Sequence, residues 1–285
     1  MTRVGGRSAR WTAAGCAALA VPLLLAGCGG PFGDPAGPPP ATRTPSAAAA
    51  PSPLPALGPG THEVLVAGED ALVRLPEQPN GRVVVYAHGL DARATALLND
   101  EAFGELADGL VAAGYAVAAS DAGGDAWGDA ASVDAHAALA AAVTDLVGAT
   151  DVYLVAESMG GLAGAQLATG RRIPGLRAYA GISPLCDLGS VHEEYEESIE
   201  AAYGQAVDEA VAALSPVCLD AAVPVQFWAS EDDTTVDRTE NADVCAAQVV
   251  ADGGSAVVVP AEGEHGDPST YDLPALLAFF ESTAG

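Results

Sequence analysis

The chain has 285 residues, half of them hydrophobic, and carries 11 Arg, no Lys and 38 Asp or Glu, for a formal charge of −27. A body this acidic is repelled by nucleic-acid phosphates and anionic membrane faces, so neither is expected as a partner. The length allows one large domain or two small ones, and no internal repeat is visible.

Residues 1–28 read as a targeting segment. Arg3, Arg7 and Arg10 precede an apolar run from Ala13 to Ala26, which Pro22 interrupts. That run is shorter than the ~20 residues of a usual membrane span. It ends in Leu25-Ala26-Gly27-Cys28, which resembles the bacterial lipoprotein signal of Leu, two small residues and Cys. The resemblance implies that Cys28 is lipidated and becomes the mature N-terminus. It also implies export by the general secretory route, because no paired-Arg motif is present. The expected location is the extracellular face of the bacterial cell membrane, with membrane contact through the lipid on Cys28 only.

Residues 29–60 hold ten of the 20 prolines and almost no large apolar side chain. They cannot bury a core and read as a disordered, partly polyproline tether. In the extended limit of ~3.1 Å per residue it would reach roughly 100 Å.

The globular part is expected at 61–285, as one domain. Strands are predicted at Glu63–Ala67, Ala71–Leu75, Arg82–Ala87, Tyr115–Ala119, Val152–Ala156, Leu176–Ile182, Val223–Ala229 and Ala256–Val259. Helical spacing runs over Glu101–Ala113, Ser132–Val147, from Met159 onward, Asp237–Val250 and Leu273–Glu281. Strands alternating with helices imply an α/β fold, a mostly parallel sheet covered on both faces. Pro184 to Ala222 interrupt the alternation with an acidic run and Ala-rich helical spacing, after the sixth strand.

Between the strand Val152–Ala156 and the helix after it sits Ser158, flanked by small residues two before (Ala156) and two after (Gly160). Only small side chains fit beside so sharp a turn. The helix start then offers backbone N–H groups to a developing oxyanion. This stretch resembles the nucleophile elbow of α/β hydrolases, G-x-S-x-G, with Ala156 where Gly is commoner. In that family the chain order is nucleophile, acid, histidine. The resemblance implies His265, in a Gly-flanked loop after the last strand, as the base. His192, in the acidic insertion, precedes any candidate acid at a strand end. The acid is expected within Ser230-Glu231-Asp232-Asp233-Thr234-Thr235-Val236, where the family's small-x-x-Asp-x-x-Val pattern selects Asp233 and leaves Asp232 as the rival.

His88-Gly89-Leu90 closes the strand beside the elbow strand. By the same resemblance the N–H of Leu90 stands opposite that of Met159 as the second oxyanion donor. His88 and Trp127, at neighbouring strand ends, are candidate cleft residues; loop shaping for His88 and packing for Trp127 are the alternatives. The insertion 184–222 is read either as a cap over the serine or as a solvated helix pair. Three cysteines remain beyond the tether, enough for one bridge in an oxidising compartment. Cys186 and Cys218 flank the insertion and are the expected pair, with Cys245 as an alternative partner of either. No metal-ligand motif or Lys-containing phosphate loop occurs, so no cofactor or metal is expected. The resemblance to α/β hydrolases implies a serine hydrolase of carboxylic esters, expected to act as a monomer on a small molecule. A peptidase or acyltransferase on the same fold, or a non-catalytic surface-displayed binding protein, stays open.

Overall fold

The computed structural model describes residues 53–285 apart from 170, 218, 220 and 221. The expected lipidation site Cys28 and most of the expected tether, residues 29–52, therefore lie outside the described residues. All eight predicted strands form: β1 (Gly60–Val66), β2 (Glu69–Leu75), β3 (Arg82–Ala87), β4 (Ala116–Ser120), β5 (Asp151–Glu157), β6 (Leu176–Ile182), β7 (Val225–Ser230) and β8 (Ala256–Ala261). They make one sheet in the order β1-β2-β4-β3-β5-β6-β7-β8. β1–β2 and β2–β4 are antiparallel, and every pairing from β4 through β8 is parallel.

The helices are α1 (Ala96–Asn99), α2 (Glu101–Ala112), α3 (Ala130–Val147), α4 (Gly160–Thr169), α5 (Glu196–Tyr203), α6 (Val207–Ala213), α7 (Val244–Ala251) and α8 (Leu273–Ser282). Asp100, Asp129 and Asp272 cap α2, α3 and α8, each accepting a backbone N–H of the first turn. Such a cap is worth about 1 kcal/mol. The helix expected from Asp237 begins instead as a π-helical turn, Thr239–Asp243, before α7. Asn241 in that turn is fully buried, and its amide oxygen accepts the N–H groups of Cys186 and Asp187 at 2.9 Å. These two bonds hold the chain leaving β6 against the start of the helix.

The central strands are apolar on both faces, as parallel strands covered by helices must be. On β3 and β5, Val83, Val85, Val152 and Leu154 face the layer containing α3 and α4. Val84, Tyr86, Tyr153 and Val155 face the layer of α2 and α8. Side chains alternate because successive residues of a strand point to opposite faces. Each fully buried Val or Leu contributes about 1.5–3 kcal/mol of transfer free energy.

The insertion between β6 and β7 carries α5 and α6. Ile199 of α5 and Ala210 of α6 are buried in the core cluster that also holds residues of α4, while the acidic side chains of both helices are exposed. The expected bridge between Cys186 and Cys218 is not formed. Cys186 is a free, buried thiol, as is Cys245; the neighbouring Cys245 and burial push the Cys186 thiol well up. Cys218 lies outside the described residues. Asn241 brings Cys186 and the start of α7 together, which the spacing of cysteines along the chain does not reveal.

Candidate active site

Ser158 follows β5 directly and has φ of +49°, a left-handed conformation that is strained for a residue with a side chain. The elbow is held on both sides. The Ser158 N–H donates to Ile182 O at 3.0 Å, and its carbonyl accepts from Gly161 N (2.8 Å) and Leu185 N (2.9 Å). Gly160 is required by contact: a Cβ there would lie 2.3 Å from the carbonyl oxygen of Ala87. The Ala156 departure is accommodated by α4. Gly164 faces it, and a Cβ on Gly164 would fall 2.9 Å from that of Ala156.

Strand ends β3, β5, β7 and β8 open on one edge of the sheet, where parallel sheets bind ligands. There, His265 Nε2 lies 2.8 Å from Ser158 Oγ and His265 Nδ1 lies 2.7 Å from Asp233 Oδ2. Asp233 accepts the Nδ1–H, which leaves Nε2 to accept the serine proton. The other Asp233 oxygen accepts the N–H groups of Thr235 and Val236 at 3.0 and 2.9 Å. Burial pushes the Asp233 carboxyl up. The hydrogen bond from His265 and the backbone donors outweigh it, leaving the group below the ordinary aspartate range. Asp232 is exposed; its backbone N–H donates to Ser230 Oγ at 3.0 Å. Thr234 donates to the Glu264 carboxylate from both Oγ1 (2.9 Å) and its backbone N–H (3.2 Å). The acid turn and the histidine loop are thereby tied together.

A cavity of about 200 Å³ opens over the serine, lined by Leu90, Trp127, Met159, Leu185, Tyr195 and His265 among others. Among the described residues, neither the Leu90 nor the Met159 N–H has a hydrogen-bond acceptor. The insertion supplies Leu185, Val191 and Tyr195 to the wall. It also grips Trp127: the indole N–H donates to Ser198 Oγ (2.8 Å), and Tyr203 Oη donates to the Trp127 carbonyl (2.8 Å). Trp127 is therefore both a cleft wall and the post on which the insertion rests. A second cavity, of about 230 Å³, opens beside Leu57, Leu75 and Arg82 at the opposite end of β3, away from Ser158.

His88 is not a cleft residue. It is 2 % exposed, with Nδ1 2.8 Å from Gly89 O and Nε2 3.0 Å from Asp121 O. It braces the turn from behind, as expected of a loop-shaping side chain. Sequence reasoning passed over Glu157, whose carboxylate accepts the hydroxyls of Tyr86 and Tyr271. The available signal was an acidic residue directly after the apolar run Val152–Ala156.

No protein-family model matches the chain, and no curated protein matches it in sequence. Solved structures do resemble it. A puromycin-hydrolyzing peptidase of Mycobacterium tuberculosis aligns with a TM-score of 0.59 at 20 % identity, covering 79 % of this chain and 39 % of the peptidase. The chain thus spans well under half of that protein. A thermostable carboxyl esterase from Bacillus coagulans aligns at 0.59 and 13 % identity, covering 79 % of this chain and 99 % of the esterase. A lidless serine hydrolase from Xanthomonas campestris aligns at 0.53 and 17 % identity, covering 81 % and 96 %. With its eight-stranded, mostly parallel sheet and flanking helices, the chain has the α/β-hydrolase fold.

Proposed function

We propose that the protein is a serine hydrolase that cleaves carboxylic esters through an acyl-enzyme. The observation that carries this reading is the single imidazole of His265 hydrogen-bonded at once to Ser158 Oγ and to the buried Asp233. In the reaction, Ser158 Oγ attacks the ester carbonyl as His265 Nε2 takes its proton. Asp233 holds the imidazole tautomer and stabilises the imidazolium. The tetrahedral oxygen is met by the N–H groups of Leu90 and Met159, a pair of donors worth several kcal/mol of barrier. His265 then protonates the departing alcohol, and water, activated by the same imidazole, releases the acid.

The test is labelling of the purified protein by a fluorophosphonate, with Ser158→Ala as control. A panel of short and long p-nitrophenyl esters beside aminoacyl amides follows. Rapid labelling that Ser158→Ala abolishes supports an activated serine, and no labelling refutes it. Amides cleaved faster than esters would make the protein a peptidase.

The same reading places the enzyme on the outer face of the cell membrane. It rests on Leu25-Ala26-Gly27-Cys28 and the proline-rich stretch that follows. Cys28→Ala is expected to prevent lipid attachment. A mature N-terminus well downstream of Cys28, without lipid, would refute the anchor.

A further inference from the structure

Glu157 takes no part in the hydrogen-bond relay, yet it adjoins each of its parts. It is the last residue of β5, directly before Ser158, and part of its surface faces the cavity. Its carboxylate accepts the Tyr86 hydroxyl and, at 2.8 Å, the Tyr271 hydroxyl. Tyr86 lies two residues before the His88-Gly89 turn, and Tyr271 lies six residues after His265. Gly89 rests against the same group: a Cβ there would fall 3.4 Å from Ser158 Cβ and 3.9 Å from the Glu157 carboxyl carbon. The segments bearing the nucleophile, the oxyanion turn and the base thus meet on one carboxylate.

Burial pushes the Glu157 carboxyl up, the two tyrosine hydroxyls draw it down, Asp100 at the head of α2 raises it and His265 lowers it; the balance leaves the group above the ordinary glutamate range. Tyr86 and Tyr271 are both pushed upward, by burial and then by the Glu157 charge. They therefore stay hydroxyl donors at working pH.

We propose that Glu157 is a positioning residue: through Tyr86 and Tyr271 it holds elbow, oxyanion turn and histidine loop in register, and its negative charge supports the imidazolium formed when His265 takes the Ser158 proton. This rests on the reading of Ser158 and His265 given above. The other acids facing the site are Asp233 from the end of β7, Asp91 from the turn after β3, Glu264 on the histidine loop and Asp100 at α2. All of them stay in place in the variants that test the idea.

Glu157→Gln keeps the size and an acceptor oxygen but removes the charge. Tyr271→Phe keeps the charge but removes one link. Each full-length variant is checked for folding by circular dichroism, and kcat and KM for a p-nitrophenyl ester are then measured from pH 5 to 9. The His265 Cε1–H resonance is titrated in parallel by NMR. In Glu157→Gln the acid limb and the NMR midpoint should both move down by about half a pH unit or more, since an opposite charge near the imidazolium is lost. Tyr271→Phe should lower kcat about tenfold, with KM within about threefold, and leave the acid limb in place, because a misplaced group costs turnover. Midpoints that superimpose in wild type and Glu157→Gln would overturn the charge role, and an unchanged kcat in Tyr271→Phe would overturn the clamp. If the wild type neither labels nor hydrolyses, the serine-hydrolase reading fails by itself, and the NMR titration still decides whether Glu157 acts on His265.

Discussion

His136 should make the protein sensitive to acid well before its carboxylates protonate. It sits on α3, 3 % exposed, with no hydrogen-bond partner for Nδ1 among the described residues. With His88 and Gly160 it borders a cavity of only about 10 Å³. Burial, and then the nearby His88, push its pKa down from 6.5 to about 3. Between those two values the unfolded chain binds a proton that the native state refuses. Stability is therefore intact above pH 6.5 and is lost as the pH falls toward about 3. Each pH unit costs about 1.4 kcal/mol, or about 5 kcal/mol across the whole window. His136→Leu removes the titrating group, suits a helix and leaves no buried nitrogen unsatisfied. Urea unfolding midpoints and m-values measured at pH 7.0, 6.0, 5.0 and 4.5 give the comparison. From pH 7.0 to 4.5 the wild type should lose roughly 2–3 kcal/mol more than the variant. Parallel stability curves would show that His136 takes up its proton inside the fold and would refute the argument.

The remaining predictions concern the elbow, the acid and the charge. Asp233→Asn should retain the fold and lower kcat on the order of 10⁴-fold, whereas Asp232→Asn, on an exposed side chain, should stay within about threefold. Ester kinetics with circular dichroism rank the two, and the reverse ranking would refute the assignment. Asp233 also links to pH: its depressed carboxyl contributes stability that is present above the ordinary aspartate range and lost as the pH falls through the lowered value. Gly160→Ala should cost at least about 2 kcal/mol, because the new Cβ meets backbone at 2.3 Å rather than a yielding side chain; an unchanged urea midpoint would refute this. With a formal charge of −27, the protein should turn over a neutral ester faster than its anionic counterpart at low salt. The gap should narrow as ionic strength rises, and a ratio of kcat/KM independent of salt would mean that the cleft's local field governs entry.

Elements and chain order were legible in the residues themselves. Strand and helix periods are short-range consequences of backbone geometry, so β3, β5 and β6 could be read from runs such as Arg82–Ala87 and Leu176–Ile182. The elbow was legible too, because Ala156 and Gly160 must be small to flank Ser158 within one sharp turn. What spacing left open was which of two adjacent aspartates turns inward. Asp233 does so because its second oxygen closes a turn onto Thr235 and Val236, which aims the first at His265. The expected Cys186–Cys218 pair and the cleft role of His88 failed for a related reason. Asn241 draws Cys186 toward α7 and Cys245, and His88 is enclosed by Gly89 and the distant Asp121. The meeting of Tyr86, Glu157 and Tyr271 has no sequence signature at all. It exists because β3 pairs directly with β5, and the loop after β8 folds back over their ends. Local composition specifies the elements and the sharp turn at Ser158. The partners of each buried polar group are decided by strand order and packing, because hydrogen bonds act over about 3 Å in space regardless of separation along the chain.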